Sequence, residues 1–232
     1  MRIFRRPQIL TVAGALLLTG LTALPAQAAA AASPSGPAGA GLSGLIQRCV
    51  FTPTPENPAA RPVQRPFPLA LAVGTVKATI RTNHGTIELS LDRRNAPCAV
   101  HNLIHLGQSR FYDKTECFRL TNSARLGVLQ CGDLIKQEVG GPGYKFDDEV
   151  TGNESYPRGT IAMGNQGPGT NGSEFFIVHS FANIAPNYTV MGKVTKGMAV
   201  LDKIVAGGIV DVNGPQDGLP KLPVHILSVR LG

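Results

Sequence analysis

The stretch Gly167 to Phe176, GPGTNGSEFF, constrains this chain most, because it runs small and polar turn residues directly into an apolar strand start. Ahead of it lies Gly159 to Asn165, GTIAMGN, an apolar segment bounded by turn formers. Short apolar segments punctuated in this way build antiparallel β-structure rather than helices. The chain has 232 residues, 43% of them apolar, so it can bury one core of ordinary size, and its 27 Gly and 18 Pro favour a turn-rich β architecture. One main domain is expected.

The first residues read as a targeting segment. Arg2, Arg5 and Arg6 form a basic region, Ile9 to Leu24 an apolar one, and Ala26-Gln27-Ala28 a small-residue cleavage site, so residues 1–28 are predicted to be a signal peptide. Without those three arginines the formal charge falls from +7 to +4. No Lys/Arg run is interleaved with aromatics, so nucleic acid is not an expected partner. No second long apolar run follows, and the mature form is expected to be secreted or in the cell envelope without entering the membrane. Residues 29–74 read as an Ala/Pro-rich flexible leader and extended arm, and residues 75–232 as the globular domain.

Within that domain, Val76 to Thr82 and Thr86 to Leu91 alternate around Asn83-His84-Gly85, a hairpin pattern. A helix begins at Ala96-Pro97 with Asn95 as its expected cap, and Val100, Leu103, Ile104 and Gly107 share one face. Further strands are expected near 115–120, 128–130, 159–163, 174–178, 188–194 and 224–230, with a short helix over 197–206. Gly140-Gly141-Pro142-Gly143 and Asp147-Asp148-Glu149 are expected to form a long turn-rich insertion at the surface. His101 and His105 are i, i+4 neighbours with no third ligand nearby, so they read as packed or solvated side chains, and no metal is expected.

The familiar hydrolytic and phosphate-binding motifs are missing: there is no G-x-S-x-G, no H-E-x-x-H and no Gly-rich loop ending in Lys-Ser or Lys-Thr. A reaction needing no nucleophile, metal or cofactor fits better. Proline isomerisation is one, since its obstacle is amide resonance rather than a bond to be cleaved.

Cys117-Phe118-Arg119, Gln130-Cys131-Gly132-Asp133, GTIAMGN and GPGTNGSEFF occur in an order that resembles the cyclophilin family of peptidyl-prolyl cis/trans isomerases over roughly Thr75 to Leu231. The resemblance implies a mainly β fold, a closed eight-stranded antiparallel barrel capped by two α-helices. It implies that Arg119 is the catalytic donor, and that Val128, Gln130, Met163, Gly164, Asn165, Glu174, Phe176, Ile184 and Tyr188 bind substrate, with no cofactor. Its expected partners are proline-containing peptides and unfolded exported proteins, with weak affinity for cyclosporin. A peptide-binding module with little or no turnover is the alternative.

Four departures from the family pattern stand out. Gly127-Val128 replaces Phe-Met, so an aromatic wall is absent or supplied by Leu126. Glu174 stands where the family has Gln, and its carboxylate is expected beside Arg119. The chain has no Trp, and Asn183 falls where the family's rim tryptophan would be. Tyr188 matches a rim histidine. Cys49, Cys98, Cys117 and Cys131 suggest two disulfides in an exported chain. Because the resemblance puts Arg119 and Gln130 on one face, strand alternation turns Cys117 and Cys131 apart. Two pairings then remain: Cys98 with Cys117 and Cys49 with Cys131, or Cys98 with Cys131 and Cys49 with Cys117.

Overall fold

In the computed structural model, residues 44–135 and 139–231 are described, and the expected signal peptide and the first part of the leader lie outside them. An N-terminal arm carries β1 (Ile46–Arg48), β2 (Thr52–Pro53) and β3 (Leu69–Leu71), and the hairpin β4 (Thr75–Thr82) and β5 (Gly85–Asp92) leads into α1 (Pro97–Gln108). There follow β6 (Thr115–Glu116), β7 (Arg119–Thr121), β8 (Leu126–Cys131), β9 (Tyr144–Lys145), β10 (Tyr156–Pro157), β11 (Thr160–Met163), β12 (Phe175–Ala182) and β13 (Val190–Lys196). The chain closes with α2 (Met198–Ala206), β14 (Ile209–Gly214), β15 (Asp217–Pro220) and β16 (His225–Leu231).

Twelve strands form one antiparallel sheet in the order β14-β15-β7-β8-β12-β11-β13-β5-β4-β16-β6, with β10 added beside β12. Alternation builds it: β4 and β5 pair from Thr75↔Asp92 to Thr82↔Gly85, and Ala78, Ile80, Ile87, Leu89 and Leu91 are buried on one face. The sheet curls into an open half-barrel, not the closed eight-stranded barrel expected. The strand expected over 115–120 is the reason, since it divides at Cys117-Phe118 into β6, on β16, and β7, on β8. At the break the Cys117 N–H donates to the Val224 carbonyl (2.9 Å) and the Phe118 N–H to the Gln130 carbonyl (3.0 Å). The chain, and no ladder, spans the gap.

That break also overturns both expected disulfide pairings. The bridges are Cys49–Cys98 and Cys117–Cys131. Alternation holds only within a continuous strand, and here Phe118 and Arg119 both face Gln130, as at a bulge, so Cys117 turns back towards Cys131.

The α1 cap differs from expectation as well. Asn95 donates its amide to the Val190 carbonyl (2.7 Å), and Glu149, 51 residues from Cys98, accepts the N–H groups of Cys98 (2.8 Å) and Ala99 (2.9 Å). The Gly140–Gly143 turn is covered by the arm, whose Thr54 and Ala60 N–H groups donate to the Gly143 and Gly141 carbonyls, each at 3.0 Å. Phe51 is buried edge-on against Tyr144 and Phe146. His101 and His105 donate ring N–H groups to the carbonyls of Phe67 (2.9 Å) and Gln64 (2.7 Å), tying the arm to α1.

The sheet is apolar on both faces along β8, β12 and β11. Leu129, Phe175, Ile177, Ile161 and Met163 join the main core. Val128, Phe176, Val178 and Ala162 form a second cluster with Tyr156, against which Leu126, Ile184 and Tyr188 pack. This second face carries the candidate site.

Candidate functional site

A cavity of about 220 Å³ opens above the second cluster, lined by Arg119, Leu126, Val128, Gln130, Gly164, Asn165, Glu174, Phe176, Ile184 and Tyr188. Strand parity explains the lining. On β8, Leu126, Val128 and Gln130 face the cavity while Gly127, Leu129 and Cys131 face the other way. A Cβ at Gly127 would lie 1.9 Å from Ser180 Oγ and 3.0 Å from His179 Cε1, so the wall that family members build with an aromatic side chain is supplied here by Leu126 and Val128.

On the neighbouring pair, Met163 lies opposite Phe175 and Ala162 opposite Phe176. Opposed residues share a face, so Met163 goes with Phe175 into the main core, 1% exposed, and does not line the cavity. The other nine residues singled out in the sequence meet there. Phe176 and Tyr188 stand edge to face at 5.6 Å between centroids, and Tyr156 completes a trio. Its hydroxyl accepts the Tyr188 N–H (3.0 Å) and donates to the Tyr188 carbonyl (3.2 Å), which fixes the rim segment.

One wall is a polar line crossing neighbouring strands. Arg119 donates from Nε and Nη2 to both carboxylate oxygens of Asp217, at 2.8 and 2.6 Å, and from Nη1 to Gln130 Oε1 at 3.3 Å. Gln130 in turn donates from Nε2 to Glu174 Oε1 at 2.8 Å. The chemistry of its neighbours sets the amide's orientation: arginine only donates and an ionised glutamate only accepts, so the oxygen must face Arg119 and the nitrogen Glu174. The carboxylate that grips the guanidinium is therefore Asp217, while Glu174 reaches it through Gln130. The Arg119 bond, then the bond from Asn213, hold the Asp217 carboxyl below the ordinary aspartate range.

Asn165 sits at the opposite edge with its side chain committed. Its Nδ2 donates to Asp148 (3.0 Å) and to the Asn187 carbonyl (3.0 Å), and its Oδ1 accepts the Gly167 N–H (3.2 Å). Asp148 also accepts from Asn171 Nδ2 (2.9 Å) and the Gly169 N–H (2.8 Å), so a single carboxylate orders the GPGTNG turn. A second cavity of about 410 Å³ shares Gly164, Asn165 and Glu174 with the first, and Thr54, Glu56 and Asn57 of the arm contribute to its lining.

Sequence reasoning missed Asp217, Tyr156 and Asp148. Asp148 and Tyr156 had no motif around them. Asp217 sits in a hairpin over 209–220 for which alternation gave only a faint signal, because β14 is exposed along most of its length. Among the described residues no group of three His, Cys, Asp or Glu side chains is arranged to hold a metal.

Residues 77–231 match the family model described as cyclophilin type peptidyl-prolyl cis-trans isomerase/CLD. The chain is 42% identical over 198 residues to a probable peptidyl-prolyl cis-trans isomerase B of Mycobacterium leprae, covering 79% of this chain and 66% of that relative. It is 37% identical over 141 residues to a peptidyl-prolyl cis-trans isomerase of Helicobacter pylori, covering 59% and 85%. The chain thus spans just under two thirds of the length of the mycobacterial relative. A crystal structure of a Cryptosporidium parvum cyclophilin type peptidyl-prolyl cis-trans isomerase superposes with a TM-score of 0.59 at 25% identity, covering 68% of this chain and 98% of that one. The same parasite protein has also been crystallised in the presence of the dipeptide Ala-Pro, and that structure superposes with a TM-score of 0.57.

Proposed function

The chain belongs to the cyclophilin-type peptidyl-prolyl cis-trans isomerase family, and from that membership we propose that it catalyses cis/trans isomerisation of X-Pro peptide bonds in proteins that fold after export. The observation that carries the reading is the placing of the Arg119 guanidinium on the polar wall of a cavity whose other side is formed by Leu126, Val128, Phe176, Ile184 and Tyr188. Leu126, Val128, Phe176, Ile184 and Tyr188 offer the prolyl ring an apolar seat. Gln130 and the backbone of Gly164 and Asn165 hold the flanking peptide.

The barrier to be lowered is amide resonance, roughly 18 to 20 kcal/mol in an ordinary peptide bond and slow enough at X-Pro that uncatalysed exchange takes about tens to hundreds of seconds. As the C–N bond twists, conjugation is lost and electron density returns to the prolyl nitrogen, which becomes a hydrogen-bond acceptor. A fixed cationic donor then binds the twisted state better than the planar one, and this difference is catalysis. No bond is made or broken, so no nucleophile is required.

The export setting draws support from the basic and apolar N-terminal segments ending in Ala26-Gln27-Ala28 and from two disulfides, which persist in oxidising compartments. In this reading the mature protein starts near Ala29 with the arm, and the isomerase domain runs over 75–232. Cyclosporin binds weakly, since the chain has no tryptophan for the rim. The decisive experiment is Arg119→Ala in an X-Pro peptide assay, with kcat/KM expected to fall about tenfold or more while the fold is retained. Binding of the peptide without turnover in the unaltered protein would favour the peptide-binding module instead.

A further inference from the structure

Asp217 is not among the residues lining the cavity, yet it accepts two hydrogen bonds from the Arg119 guanidinium. It opens β15, which pairs with β14 on one side and with β7 on the other, at Asp217↔Thr121 and Gly218↔Leu120. That register brings the carboxylate alongside Arg119, 98 residues away in sequence, and the two join fork to fork at 2.8 and 2.6 Å. Asn213, in the same hairpin, donates from Nδ2 to Asp217 Oδ1 at 3.1 Å and holds the carboxylate from behind.

This pair stabilises the fold little. The two side chains are 31% and 24% exposed, and a partly exposed ion pair contributes only modestly to stability. A bidentate pair does constrain direction, because two parallel N–H···O bonds leave the guanidinium plane no freedom to rotate. With Nε and Nη2 held by Asp217, the edge carrying Nη1 is turned to Gln130 and the cavity. A long side chain that would otherwise sample many rotamers is thereby set in one orientation before a peptide arrives, and such prior ordering speeds a reaction without new contacts to the substrate.

We propose that Asp217 is a positioning residue for Arg119, and that the β14–β15 hairpin carrying it belongs to the working apparatus of the isomerase. The proposal rests on the isomerase reading above. It assigns a task to the hairpin, whose outer strand supplies Asn213 to the same carboxylate.

The test combines Asp217→Ala, Asp217→Asn and Arg119→Ala, alone and in the Asp217→Ala/Arg119→Ala double variant, with kcat and KM measured separately on one X-Pro peptide. Asp217→Ala is expected to lower kcat about five- to tenfold with KM within about twofold, and Asp217→Asn, which keeps the shape and one acceptor, to lose less. In the Arg119→Ala background, Asp217→Ala should cost nothing further. An unchanged kcat in Asp217→Ala, or the same loss with and without Arg119, overturns the proposal. A second readout needs no turnover: the ¹⁵Nε–¹H order parameter of Arg119 should be that of a fixed group and should drop in Asp217→Ala. If the Arg119 Nε–H is equally mobile in both proteins, the proposal fails whatever the activity. If Arg119 is held by Asp217 but the unaltered protein shows no turnover, the isomerase reading fails and the positioning stands.

Discussion

The wall of the cavity and the N-terminal arm are held in place by different means. The wall is polar, partly exposed and short in reach: Asp217, Arg119, Gln130 and Glu174 lie on or beside the neighbouring strands β15, β7, β8 and β12, linked by side-chain bonds of 2.6 to 3.3 Å. The arm is held by a disulfide to α1, by the buried ring of Phe51, by the short ladder of β2 on β9, and by Arg61, whose Nη1 donates to the carbonyls of Arg110, Phe111 and Asp113. One set of contacts determines direction and the other contributes adhesion. Loss of arm contacts should therefore show in stability, and loss of wall contacts in turnover.

The two disulfides separate these effects most sharply. Cys49–Cys98 closes a span of 49 residues and Cys117–Cys131 one of 14. By loop-closure entropy, replacing the first pair with alanines should cost about 4 kcal/mol and the second about 3 kcal/mol. Denaturant unfolding should order them so. In the Cys49→Ala/Cys98→Ala protein, kcat on a short X-Pro peptide should stay as it was. In Cys117→Ala/Cys131→Ala it should fall several-fold, because Cys117 and Cys131 bracket Arg119 and Gln130. Equal losses of turnover in both variants would break the comparison.

A smaller effect is expected from pH. Burial, with His105 and Arg93 nearby, holds His101 below the ordinary imidazole value of 6.5, although its bond to the Phe67 carbonyl opposes the shift. A depressed folded-state value means that the stability contributed is present above 6.5 and is lost as pH falls through the folded value. The unfolding midpoint should drop between pH 7.5 and 5.5, and His101→Gln should flatten that slope. A slope unchanged in His101→Gln would take the arm anchor out of the pH response.

The smallest effect belongs to Glu174→Gln. Glutamine both donates and accepts, so position 174 would no longer be an obligatory acceptor and the Gln130 amide would be oriented by Arg119 alone. A fall in kcat/KM of about two- to threefold is expected, consistent with exchanging a charge-assisted hydrogen bond for a neutral one. A rise would mean that the Glu174 carboxylate restrains Arg119 through the Gln130 amide.

Much of this was legible in the chain. The alternation of β4 and β5 and the start of α1 at Pro97 follow from local chemistry, and nine of the ten site residues implied by the resemblance line one cavity. Met163 shows the limit. Its motif is the right one, but whether a residue in a strand buried on both faces looks to the core or to the site depends on register, here set by the pairing of Met163 with Phe175.

Which segments extend and where they turn can be read along the chain, because these depend on neighbours within a few residues; that the short motifs share one site came from the family resemblance. Only the tertiary structure decided the disulfide partners, the distant cap on α1 and the carboxylate on Arg119. Each depends on an interruption or a long-range juxtaposition: the break at Cys117-Phe118 cancels the parity that would part Cys117 from Cys131, Glu149 reaches Cys98 across 51 residues, and Asp217 reaches Arg119 across 98. Periodicity carries information along one strand, and it ends where the strand ends.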